Sequence, residues 1–156
     1  MILVLCGTQK QDFSRMIRAV EELAGEQEVI VQGGHNRYSS SKVKVLGFVS
    51  NEEIDRLYDQ ADYIITHAGA GSMIQSLKKG KKTIAVPRLA KYGEHVNDHQ
   101  IELASKLEAL GYLLVYHDGD NIKEVFEKAK QFEPKQYRLK GQLMALVDQT
   151  IEAYLS

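Results

Sequence analysis

A single cysteine, Cys6, leaves this chain unable to form an internal disulfide, which points to a reducing compartment. No apolar run approaches the roughly 18 residues that a membrane-spanning helix needs. Membrane association would therefore have to come from a surface or a partner. Residues 1–6 are too short for the apolar core of a secretory signal and have no basic flank before them, so a cytoplasmic protein is expected. Lys and Arg number 20 against 21 Asp and Glu, a net charge of −1 without the basic excess of a general nucleic-acid binder. Internal repeats and low-complexity tracts are also missing.

What remains is ordinary in bulk: 156 residues, 44% hydrophobic and 26% charged, the size and composition of one globular domain. Short β-branched runs alternate with longer amphipathic ones. Strands are expected over 2–6, 28–32, 43–48, 63–66, 83–86 and 112–116. Helices are expected over 12–24, 51–60, 72–79, 96–110, 121–130 and 136–155. The alternation predicts an α/β fold, a single Rossmann-like doubly wound parallel sheet with helices on both faces. Ser50 or Asn51 before Glu52-Glu53 reads as a helix start, Gly111 as a helix stop, and Glu133-Pro134 as the break before the last helix.

In such sheets ligands sit beyond the carboxyl ends of the strands. Three segments fall there. Thr66-His67-Ala68-Gly69-Ala70-Gly71-Ser72 empties a strand into glycines and then a helix. Glycines admit close backbone approach, and the first-turn N–H groups with the helix dipole favour an anion. Turn sterics alone would also select such residues. The dinucleotide fingerprint fails at Ile74, where a third glycine belongs. A P-loop fails at Gln75 and Lys82 around Gly80-Lys81. Gly7 and Thr8 form the second segment, offering N–H groups and a hydroxyl across the same cleft, or simply a turn.

The third segment runs from Pro87 to Gln100 and carries Arg88, Lys91, Glu94, His95, Asp98, His99 and Gln100. His95 and His99 have the i, i+4 spacing of a metal pair, but H-E-x-x-H is not present and sugar or ribose hydroxyls are the better partners for these groups. No metal is expected. In the last helix Leu139, Leu143, Leu146, Val147, Ile151, Tyr154 and Leu155 form a wide apolar stripe, suited to its own domain or to a partner surface. Lys78-Lys79-Gly80-Lys81-Lys82 reads as a solvated helix end.

Taken together, residues 67–72, Gly80, Ala85-Val86-Pro87-Arg88 and residues 94–100 resemble the donor-binding C-terminal half of family 28 GT-B glycosyltransferases. Within that family the chain resembles the small cytoplasmic subunit of split enzymes. These include the eukaryotic UDP-N-acetylglucosamine transferase of dolichol-linked oligosaccharide assembly and, closer still, bacterial capsule and exopolysaccharide subunits. The resemblance implies a UDP-sugar donor, galactose favoured, bound without a cofactor. It implies that Gly7, Thr8, His67, Ala68, Gly69, Ala70, Gly71 and Ser72 hold the diphosphate side. It implies that Asp98, His99 and Gln100 face the sugar, with Arg88 and Glu94 also among the donor-binding residues. Gln75 stands where related enzymes place a ribose-binding glutamate, and an amide lacks that charge assistance. Glu94 and His95 are weak candidates for the catalytic base. The implied partner is a membrane-anchored, acceptor-binding glycosyltransferase subunit, and the implied acceptor is a lipid-linked saccharide reached at the inner membrane face. Two other functions fit the residues: a non-catalytic accessory subunit, and a stand-alone nucleotide-binding enzyme acting on a soluble substrate.

Overall fold

The protein is described here from a computed structural model over residues 1–36 and 38–135. The elements in chain order are β1 (Ile2–Leu5), α1 (Ser14–Glu21), β2 (Val29–Gln32), β3 (Lys44–Leu46), α2 (Asn51–Gln60), β4 (Tyr63–Thr66), α3 (Ala70–Lys78), β5 (Lys82–Ala85), a 3-10 turn (Ala90–Tyr92), α4 (His99–Ala109), β6 (Leu114–Val115) and α5 (Ile122–Gln131). The helix expected over 136–155 lies outside the described residues.

Every strand pairing is parallel, in the order β3-β2-β1-β4-β5-β6. Alternation along β1 explains how helices cover both faces. Ile2 and Val4 point to the face packed by Met16, Ile17 and Val20 of α1 and Phe126 of α5. Leu3 and Leu5 point to the opposite face, against Leu57 and Tyr58 of α2. On that same side Ala85 of β5 meets Met73 and Leu77 of α3 and Leu103 and Leu107 of α4. Connections run both ways from β1, so β1 and β4 part at their carboxyl ends and open the crevice where such sheets bind ligands.

Local signals account for the element ends. Ser50 caps α2 by accepting from the Glu53 N–H at 3.1 Å, and Gly111 ends α4 in a left-handed conformation at φ 85°. Two expected boundaries shift in ways that matter. Helix α3 starts at Ala70, so Gly71 is its second residue rather than part of a loop. Helix α4 starts at His99, not 96, because residues 90–98 are spent on a 3-10 turn and on Glu94 and Asp98, whose side chains accept the N–H groups of Leu89 and Ala90. His95 and His99 therefore do not share a helical face, which removes the geometric basis of the metal pair. Among the described residues no group of three or more His, Cys, Asp or Glu is placed to hold a metal ion.

Candidate functional site

The chain leaves β4 through His67, turns at Ala68 with φ 65°, and enters α3 from Gly69 as N-cap. No side chain caps this helix, which leaves the N–H groups of Ala70, Gly71 and Ser72 without intrahelical partners at the positive end of the dipole. The glycines divide their work. A Cβ on Gly7 would stand 2.6 Å from the His67 ring, and one on Gly69 would stand 2.8 Å from its Nε2 and closer still to Cε1. A Cβ on Gly71 would meet nothing within 4 Å. Two glycines thus make room for an internal imidazole, while the third keeps the helix entrance open.

His67 is a wedge between the β1 and β4 turns. It is buried, and its Nε2 lies 3.4 Å from Ser72 Oγ, while Nδ1 has no partner among the described residues. Burial, reinforced by the nearby Arg88 charge, pushes its pKa down to about 3, so the ring is neutral at ordinary pH. A neutral ring fixes Ser72 without bringing a titrating charge to the helix entrance.

Beside this entrance lies a cleft of about 220 Å³ lined by Gly7, Thr8, Ser72 and Gln75, with Gln32, Phe48, Asn51 and Tyr58 among the other walls. Gln32 accepts from the Gly7 N–H at 3.3 Å, tying the first turn to β2. The structure thus brings four expected site residues to one cavity. Sequence reasoning missed Gln32, Phe48, Asn51 and Tyr58. Phe48 is 59% exposed after a strand, a signal visible only once neighbouring loops are in place. Gln75 donates to Asp55 Oδ1 at 3.0 Å, so the amide is matched to a carboxylate on α2.

The segment after β5 is built otherwise, and several expectations change here. Arg88 is fully buried: Nη1 donates to the carbonyls of Gln11 (2.8 Å) and Glu94 (3.0 Å), and Nη2 to that of Cys6 (2.7 Å). Gln100 is buried as well, its Oε1 accepting from the Arg88 N–H at 3.0 Å. Both brace the loop. Glu94 is held by Arg15 through two bonds of 2.9 Å and by the Leu89 N–H at 3.0 Å. With both oxygens engaged, it is poorly disposed to act as a base. Asp98 is exposed and caps Ala90 N–H at 2.9 Å. His95 is buried, with Nδ1 accepting from the Asn97 N–H at 3.2 Å; burial and then Arg88 lower its pKa. His99 is half-buried, and its Nδ1 has no hydrogen-bond partner among the described residues. None of these side chains lines the 220 Å³ cleft, which among the described residues carries no carboxylate or imidazole.

A doubly wound sheet with an uncapped helix entrance beside an open cleft is common to many nucleotide binders, so kinship has to decide between them. Residues 1–150 match the profile described as "Glycosyltransferase family 28 C-terminal domain". The chain belongs to that family. It is 32% identical over 102 residues to the Candida glabrata "UDP-N-acetylglucosamine transferase subunit ALG13", covering 65% of this chain and 48% of that protein. The chain thus spans about half the length of that curated relative. A solution structure of ALG13 superposes over 99% of this chain and 96% of its own, with TM-score 0.61 at 20% identity. The crystal structure of Acinetobacter baumannii MurG matches 99% of this chain but 44% of its own, with TM-score 0.54 at 18% identity. At such identities the two structures establish a shared fold.

Proposed function

We propose that this family 28 domain is the donor-binding subunit of a two-component inverting glycosyltransferase that transfers a hexose unit from a UDP-sugar to a lipid-linked saccharide. The observation that carries it is the α3 entrance: three N–H groups without a partner among the described residues, Ser72 and an open position at Gly71, beside the Gly7-Thr8 turn. Such donors stabilise the diphosphate in the ground state and, more strongly, as charge grows on the departing UDP. No metal or other cofactor is invoked. Sheet order places the cleft with Phe48 on the β1 side of Ser72 and the segment after β5 on the other side. A diphosphate at α3 would then send its nucleoside toward Phe48 and its sugar toward His95 and His99.

The catalytic base is proposed to lie on a membrane-anchored partner, which would also bind the acceptor and hold this chain at the inner membrane face. Two features support this. Among the described residues the cleft is lined by no acid or imidazole, and Glu94 is occupied by Arg15. Three large exposed hydrophobics, Phe48 (59%), Tyr92 (49%) and Val96 (80%), stand on segments that follow strands, on the edge a partner would cover. Among the described residues no helix is long and apolar enough to cross a membrane. The galactose and capsule expectation draws no support from the relative's name, which carries N-acetylglucosamine; both donors belong in the assay.

The Gly71→Val variant tests the cradle. Its Cβ would meet nothing within 4 Å among the described residues, so the melting temperature should be unchanged, while calorimetric UDP affinity should fall at least about tenfold. Undiminished binding would dismiss the assignment. An accessory role is favoured by the same lack of a base in the cleft. It predicts that a partner already active alone is enhanced equally by wild type and by Gly71→Val.

A further inference from the structure

Arg15 lies on α1, 79 residues before Glu94, and nothing in its sequence surroundings marks it. In the fold its Nε and Nη2 each reach one Glu94 oxygen at 2.9 Å, and Nη2 also donates to the Pro87 carbonyl at 3.1 Å. Its guanidinium lies over the Tyr92 ring at 5.1 Å, and Tyr92 in turn donates to Asp118 at 2.9 Å. The Glu94 side chain is 4% exposed, whereas the paired acids Asp62 and Asp59 are 69% and 71% exposed. A two-pronged pair with a buried acid fixes geometry in a way that a surface pair does not. What it fixes is the segment carrying His95, Asn97 and Asp98 into His99.

We propose that Arg15 is a positioning residue for the sugar side of the donor site, acting through Glu94 to set where His95 and His99 stand. This rests on the UDP-sugar reading above. The mechanism follows from the connections. Glu94 receives Leu89 N–H and Asp98 receives Ala90 N–H, so these acids cap successive N–H groups at the start of the 3-10 turn. His95 Nδ1 receives Asn97 N–H, and Asn97 Oδ1 receives the backbone N–H of His99, so the His95 ring and the backbone that carries His99 are joined through Asn97. Freeing Glu94 from Arg15 releases the middle of this chain of bonds. The α3 entrance is held separately, by His67 between Gly7 and Gly69, and is not expected to move.

The two supports predict a split between ligands. Calorimetry on the full chain would compare UDP with UDP-N-acetylglucosamine and UDP-galactose for wild type, Arg15→Met, Arg15→Lys and Glu94→Gln. Arg15→Met should leave UDP affinity within about twofold and reduce the affinity gained from the better sugar by about tenfold. Arg15→Lys keeps the charge but not the fork and should fall between. A folded Arg15→Met that keeps the wild-type ratio of UDP-sugar to UDP affinity overturns the proposal, as does equal loss of both ligands. Should Arg15→Met fail to fold, the same ratio in Glu94→Gln decides. A wild-type chain that binds neither nucleotide would sink the UDP-sugar reading itself, a different failure from a wild type that binds both with an unmoved ratio in the variants.

Discussion

The segments after β4 and β5 leave neighbouring strands at the same sheet edge, yet they are held by opposite means. After β4, a neutral imidazole fills the space that two glycines vacate, and its rigidity is a matter of fit. After β5, a buried guanidinium and a buried carboxylate are met by carbonyls, N–H groups and Arg15. Fit suits a place that must present bare N–H donors to an anion, because a charged brace there would compete with the ligand. Charge suits a long irregular segment, where few apolar contacts are available and directional bonds must set its path. The contrast predicts that the two segments will fail differently.

The largest effect is expected at Arg88. Arg88→Met removes a buried cation and strips the carbonyls of Cys6, Gln11 and Glu94 of their donor, a loss of roughly 3–5 kcal/mol in denaturant unfolding. A loss under about 1 kcal/mol would mean that the segment is not held by charge. Gly69→Ala comes next: a Cβ 2.8 Å from His67 Nε2 overpacks a closed space, costing about 1–3 kcal/mol. His67→Ala in the same chain should remove most of that cost, which a double-mutant cycle measures directly. If the second substitution brings no relief, His67 is not what requires the glycine.

Acid should distinguish the segments next. His67 titrates near 6.5 when unfolded but only at about 3 when folded, so below pH 6.5 the unfolded chain binds a proton that the folded chain refuses. Stability attributable to this ring is full above pH 6.5 and falls as pH drops toward 3, by at most about 1.4 kcal/mol per pH unit. The difference in unfolding free energy between wild type and His67→Asn should therefore shrink between pH 7 and 4.5. A constant difference would place the ring in contact with water.

The first segment was largely legible in the sequence and the second was not, for a physical reason. Glycines, a strand and a helix are local signals, so the doubly wound parallel sheet and the strand-to-helix glycine turn were readable from periodicity and turn chemistry. Even so, the local pattern left the glycines open between close ligand approach and turn sterics, and only the fold shows that a Cβ on Gly7 or Gly69 would strike the His67 ring. Around Arg88, Glu94 and Gln100 the sequence shows polar residues of the kind that meet ligands. Whether a side chain turns outward depends on partners 70 to 80 residues away, Gln11 and Arg15 among them, which no local pattern encodes. Phe48 and Asn51 were missed likewise, because a cleft wall built from separate loops has no sequence period.

The smallest expected effect bears on Gln75, where the family resemblance implies a ribose-binding glutamate. In Gln75→Glu two contributions of opposite sign can be separated by salt. The new carboxylate would lie where Gln75 Nε2 now meets Asp55 Oδ1 at 3.0 Å, replacing a hydrogen bond by like charges. Both groups are near solvent, so the cost is about 0.5 kcal/mol at low ionic strength, fading as salt rises. Asp55→Asn should abolish it. Binding responds the other way: if a ribose hydroxyl is bonded at this position, charge assistance strengthens that bond and UDP affinity rises by a few-fold. A variant less stable at low salt yet tighter for UDP at high salt would place the ribose against α3. Unchanged UDP affinity in the Asp55→Asn, Gln75→Glu double variant would move the ribose away from Gln75, toward the wall formed by Asn51 and Phe48.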